Sequence, residues 1–124
     1  MKVRLRNNTV RLRLDQKDIA ELKSAGQVVM TTPFIQGKLT WTICGSDEQQ
    51  SFAAVLQGQQ VTIQVPNATL QQWISTEQVG IEGEVATEDE ASLKLLIEKD
   101  FKCLTARDED ESNAFPNPLD SHQC

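Results

Sequence analysis

Histidine is almost missing from this chain of 124 residues: His122 is the only one. Nucleophilic arrangements built on a Ser/His/Asp or Cys/His set therefore have a single candidate base, close to the last residue. No glycine-rich phosphate loop and no CxxC pair occurs. Aromatic residues are few, Trp41, Trp73 and four Phe, and they are not interleaved with basic residues as a single-strand nucleic-acid platform requires. Long apolar runs are also lacking. Nothing approaches the ~20 residues of a membrane-spanning helix, and the opening MKVRLRNN carries charges where a secretory signal needs an apolar segment. A cytoplasmic location is expected. Three cysteines, Cys44, Cys103 and Cys124, are an odd number, and in a reducing compartment free thiols are the default.

A chain of this length forms one domain and buries about two-thirds of its unfolded surface. Its net charge of −6 argues against nucleic acid and anionic membranes as partners. That charge is uneven. Residues 1–23 hold seven Lys or Arg against three acids, whereas residues 107–124 hold one Arg against five. A basic face at one end and an acidic tail at the other can pair within the molecule, or leave the face for a ligand.

Residues 1–44 align with residues 52–97 at an offset of 51. Leu5 falls on Leu56, Val10 on Val61, Leu12 on Ile63, Leu22 on Trp73, Val28 on Val79 and Met30 on Ile81. After a three-residue slip, Trp41 falls on Leu95 and Ile43 on Ile97. A single sustained period marks an internal repeat. Each copy reads as ββαββ. Strict alternation over 2–6 and 9–13 around Asn7-Asn8 predicts a tight hairpin with Lys2 opposite Arg13, Val3 opposite Leu12 and Arg4 opposite Arg11. Asp15, with Asp18 three residues on, predicts a helix that ends at Gly26 and buries Ile19 and Leu22. Strands follow at 27–32 and 37–44. The second copy places strands at 51–57 and 60–65, a helix opened by Pro66-Asn67 that presents Leu70, Trp73 and Ile74, and strands at 78–85 and 92–99.

The expected fold is α+β: one duplicated domain over residues 1–100 (copies 1–45 and 46–100), with eight mainly antiparallel strands and two helices. An eight-stranded sheet tends to close, so a barrel or strongly curved sheet is expected, with Leu5 and Leu56 in its core. A two-layer sheet with both helices on one face is the alternative. Residues 101–124 form an acidic irregular tail, expected to pack on the body through anchors such as Phe115 and Leu119.

The segments VRLRL (10–14), STEQVG (75–80), EKDFKCL (98–104) and EDESNAFPNP (109–118) together resemble a family of short bacterial proteins of unknown function, over essentially the whole chain. The resemblance implies a stand-alone cytoplasmic domain and carries no catalytic residue with it.

Lys2, Arg4, Arg6, Arg11 and Arg13 share one face of the first hairpin, and their like-charge cross-strand pairs call for a counter-charge. An external phosphate or carboxylate ligand can supply it, as can Glu82 and Glu84, Glu98, or the 108–111 run. The expected function is a small binding or accessory domain, not an enzyme, that contacts an anionic small molecule or an acidic protein surface. The alternative is a structural zinc site formed by Cys44, Cys103, His122 and Cys124. A further alternative is phosphohydrolysis, because Glu82-Gly83-Glu84 beside arginine-rich strands resembles the triphosphate-tunnel barrels. Those barrels carry a Lys two residues after the second Glu, where this chain has Ala86.

Overall fold

A computed structural model describes residues 1–48, 50–102, 113–116 and 118. The order of elements is β1 (Lys2–Arg6), β2 (Thr9–Leu14), α1 (Gln16–Ala25), β3 (Gln27–Phe34), β4 (Gly37–Ser46), β5 (Ala53–Gln57), β6 (Gln60–Pro66), α2 (Asn67–Ser75), β7 (Gly80–Ala86) and β8 (Ser92–Lys99). Four hairpins follow from four alternating pairs of strands. Each hairpin turn holds one residue of positive φ: Asn7, Gln36, Gly58 and Glu90. The first hairpin has the register its alternation predicts, from Lys2 opposite Arg13 to Arg6 opposite Thr9.

These hairpins do not close into a barrel. They form two separate four-stranded sheets, one ordered β1-β2-β8-β7 and the other β3-β4-β6-β5. In each sheet a hairpin from residues 1–46 lies beside one from residues 53–99. The two central contacts, β2 with β8 and β4 with β6, are parallel. Exchanging β1–β4 for β5–β8 in the first order gives the second order read backwards. The turns show the same correspondence. The Asn8 carbonyl accepts from the Lys94 amide at 2.8 Å, and the Gln59 carbonyl accepts from the Thr40 amide at 3.0 Å.

One core joins the two sheets and both helices. Val10, Leu12 and Leu14 of β2 meet Leu95 and Ile97 of β8. Val28, Trp41, Ile43, Ile63 and Val65 come from the other sheet, and Leu22, Leu70, Trp73 and Ile74 from the helices. Gly83 lets the sheets approach. A Cβ there would lie 2.4 Å from the Phe52 ring, so the strand has no side chain where the aromatic packs. At Gly45 the close neighbour is Asn67, whose side chain donates to Asp47 at 2.5 Å.

Each helix carries its strand from one sheet to the other. Helix α1 opens on a reciprocal cap: Asp15 Oδ1 accepts from the Asp18 amide at 2.9 Å, and Asp18 Oδ2 accepts from the Asp15 amide at 3.0 Å. It stops at Gly26, φ 76°, whose N–H donates to the Leu22 carbonyl. Helix α2 has no side-chain N-cap bond. It is held instead by Trp73, fully buried, whose indole N–H donates to the Val79 carbonyl at 3.2 Å. The Lys99 ammonium lies 5.8 Å from the centre of that ring.

Leu5 and Leu56 depart from expectation. Both point to the apolar side of their hairpins, yet they are 64% and 73% exposed. They lie one residue from the ends of edge strands, beyond the reach of the opposite sheet. The alignment of Val28 with Val79 also fails: Val28 lies opposite Ile43 and Ile81 opposite Ile97, so buried Ile81 is the residue that matches Val28, and Val79, before β7, is exposed. Of the tail's expected anchors, Phe115 is 96% exposed, and Leu119 lies outside the described residues.

Leu12→Ala should destabilise by about 2–5 kcal/mol and Trp73→Ala by about 3–5 kcal/mol. Leu5→Ala should cost well under half of either value. Urea midpoints of the three variants test this, and equal shifts for Leu5 and Leu12 would refute the placement of the core edge. A second prediction concerns Asp15, whose carboxyl is held below its ordinary range chiefly by the Asp18 amide that donates to it. A depressed folded-state pKa gives stability that is present above the unfolded value of about 3.9 and lost as pH falls through the folded value. Asp15→Asn keeps the cap acceptor but does not titrate, so its melting temperature should fall less steeply below pH 4 than that of the native chain.

Candidate anion-binding face

The outer face of the first sheet follows from its registers. One row across the strands runs Lys2, Arg13, Glu98, Gly80; the next runs Arg4, Arg11, Leu96, Glu82; the third runs Arg6, Thr9, Lys94, Glu84. Because alternation places every second residue on this side, the basic residues of β1 and β2 gather along one half of the sheet. The acids of β7 lie along the far edge. Lys2 and Arg13 are direct neighbours, as are Arg4 and Arg11, so two like-charge pairs sit side by side.

Two carboxylates from the β8 side answer them. Arg11 Nε donates to Glu98 Oε1 at 2.5 Å, a half-buried pair. The Lys2 ammonium meets Asp100 Oδ2 at 2.8 Å. Asp100 is placed by its own backbone, since its N–H donates to the Leu14 carbonyl at 2.8 Å and prolongs the β2–β8 pairing. Of the acids expected to serve, Glu98 does so. Glu82 and Glu84 stand exposed across β8, with no closed barrel around them, so the tunnel of the triphosphate-tunnel barrels is not formed. The 108–111 run lies outside the described residues. Alternation over the β8 strand already places Asp100 on this face, two residues after Glu98, but only the β2–β8 pairing brings it to Lys2.

Arg4, Arg6 and Arg11 take part in further interactions. Lys2, Arg4, Arg11 and Arg13, with Val3, line a hollow of about 80 Å³. The five residues expected to form a basic face are thus brought together, and four of them surround one depression.

The expected zinc ligands are not assembled in what is described. Cys44 lies half-buried on β4, on the outer side of the other sheet, while Cys103, His122 and Cys124 lie outside the described residues. Among the described residues no cluster of three His, Cys, Asp or Glu side chains could hold a metal ion. Burial pushes the Cys44 thiol up from its ordinary range. Among the described residues no helix is long and apolar enough to cross a membrane.

Fold and face define an α+β domain of two mixed sheets with one arginine-rich outer surface. The chain belongs to a family of unknown function, DUF7009, whose model matches residues 1–119. No curated protein and no solved structure matches it.

Removing the carboxylate that engages Arg11 should strengthen polyanion binding. Glu98→Gln is expected to elute from immobilised heparin at higher salt than the native chain, and unchanged elution would show that Arg11 does not contribute to anion capture.

Proposed function

We propose that this chain is a cytoplasmic binding or accessory domain, built from two copies of one ββαββ unit, that takes an anionic ligand or acidic protein surface on the outer face of β1 and β2. The concentration of five cationic side chains on two adjacent strands carries this reading. Lys2 opposite Arg13 and Arg4 opposite Arg11 are arrangements that cost stability in an isolated hairpin, and an anion over them reverses that cost. Guanidinium groups donate several hydrogen bonds in a fixed fork and accept none. A face made of them holds and orients anions and is poorly equipped to shuttle protons, which favours binding over catalysis.

The test is retention on heparin at low salt, repeated with an Arg4→Gln/Arg11→Gln variant. The double variant should elute earlier, and the slope of log affinity against log salt should fall by about one for each contact removed. Elution of the double variant at the native salt concentration would sink the proposal.

A further inference from the structure

We infer that the hollow between β1 and β2 is a site for one doubly charged tetrahedral oxyanion, inorganic phosphate or the phosphate group of a small metabolite, with Arg13 as its principal contact. This rests on the reading of the basic face above and makes it specific.

Size comes first. A hollow of about 80 Å³ is well above the ~10–15 Å³ that admits one water. It is far below the ~300–1,000 Å³ of pockets that enclose a whole drug-sized ligand. The part of a ligand that enters is therefore the size of an ion, and the remainder stays outside.

Shape comes second. Lys2 and Arg13 form one register pair, and Arg4 and Arg11 the next. Paired Cβ atoms stand about 5 Å apart, and the two rows about 6.7 Å apart along the strands. Four cationic stems thus rise from the corners of a small rectangle. The two oxygens of a carboxylate are satisfied by a single guanidinium fork. A phosphate offers three or four oxygens pointing in different directions, which matches donors arriving from several sides.

Occupancy comes third. The charges of Lys2 and Arg11 are already answered by Asp100 and Glu98, which makes these two corners secondary contacts. Arg13 stands in the same row between Lys2 and Glu98. It is half-buried, yet no hydrogen bond or ion pair joins it to any described residue. Of the four cations around the hollow, it is the one a bound anion would complete.

The experiment is calorimetric or NMR titration of the full chain with inorganic phosphate, phenyl phosphate and acetate at equal ionic strength and pH 7.5. Phosphate should bind saturably and acetate should not. Competition by phenyl phosphate for the same site would show that an esterified phosphate is accepted, and its failure would restrict the site to the free ion. Arg13→Gln should weaken phosphate binding by about tenfold to a hundredfold, the worth of a charged hydrogen bond. Lys17→Gln, on the exposed side of α1, should change it by less than about twofold. Arg13→Lys keeps the charge without the fork and should fall between the two; it also carries the test if Arg13→Gln does not fold. Phosphate binding no tighter than acetate, or binding unaltered in both Arg13 variants, overturns the inference. Heparin retention that persists in that event leaves the basic face standing as a diffuse anion surface.

Discussion

The parallel contact of β2 with β8, and its counterpart of β4 with β6, is the constraint on which the remainder of the molecule depends. A two-stranded hairpin with one bare apolar face is at best marginal in water. Four such hairpins become stable here only by pairing across the chain, residues 9–14 with 94–99 and 40–46 with 60–66. Parallel neighbours cannot be joined by a tight turn: β4 and β6 are linked through β5, and β2 and β8 through all the elements between them. The helices carry the chain between the sheets, from β2 to β3 and from β6 to β7, and fill the core with Leu22, Leu70 and Trp73. The candidate site has the same origin. Glu98 reaches Arg11 across 87 positions of sequence, and Asp100 reaches Lys2 only because β8 is seated against β2. Unzip that pairing, and the basic hairpin loses both its counter-charges and its buried face.

Much of this was legible, and the boundary between what was and was not has a physical cause. The Asn7-Asn8 turn fixes the register of its hairpin, because a two-residue loop between alternating runs leaves no freedom to slip. Asp15, Asp18 and Gly26 specify the limits of α1 through bonds that span three or four residues. Both are local signals. The division into two sheets is not local: β2 pairs equally well with its hairpin partner whether its other edge meets β8 or closes a barrel. Alternation names the inward face but does not say how far the opposite layer extends. Leu5 and Leu56, at the tips of edge strands, therefore read as core residues and are exposed.

The site divides in the same way. All five cations of the basic face are readable from period-two alternation, since their common face follows from the strand itself. The partner acids are not, because their positions depend on which strand lies alongside. Glu82, Glu84 and Glu98 were equivalent from sequence, and the order β1-β2-β8-β7 separates them by placing β8 next to the arginines and β7 one strand further away. Helix α2 shows a related limit. Without a side-chain cap, it is tied by the bond from the Trp73 indole to Val79 in the segment that follows, which the apolar spacing of Leu70, Trp73 and Ile74 does not reveal.

The second sheet shows that the pairing scheme does not depend on a basic outer face. At the 51-residue offset, Arg4, Arg11 and Arg13 correspond to Val55, Thr62 and Gln64, and the outer rows of that sheet read Val29, Thr42, Thr62, Val55 and Thr31, Thr40, Gln60, Gln57. Those rows contain no charged residue, yet the strands pair in the same order and bury equivalent positions such as Leu12 and Ile63. Alternation uncouples the two sides of a strand. Inward residues answer to the core, and outward ones are free to answer to something else. A face that could have remained neutral carries five cations on β1 and β2, two directly opposed pairs among them, and Lys94 on β8. The pairing scheme does not require them, and two of them meet carboxylates from the β8 side, Arg11 at Glu98 and Lys2 at Asp100.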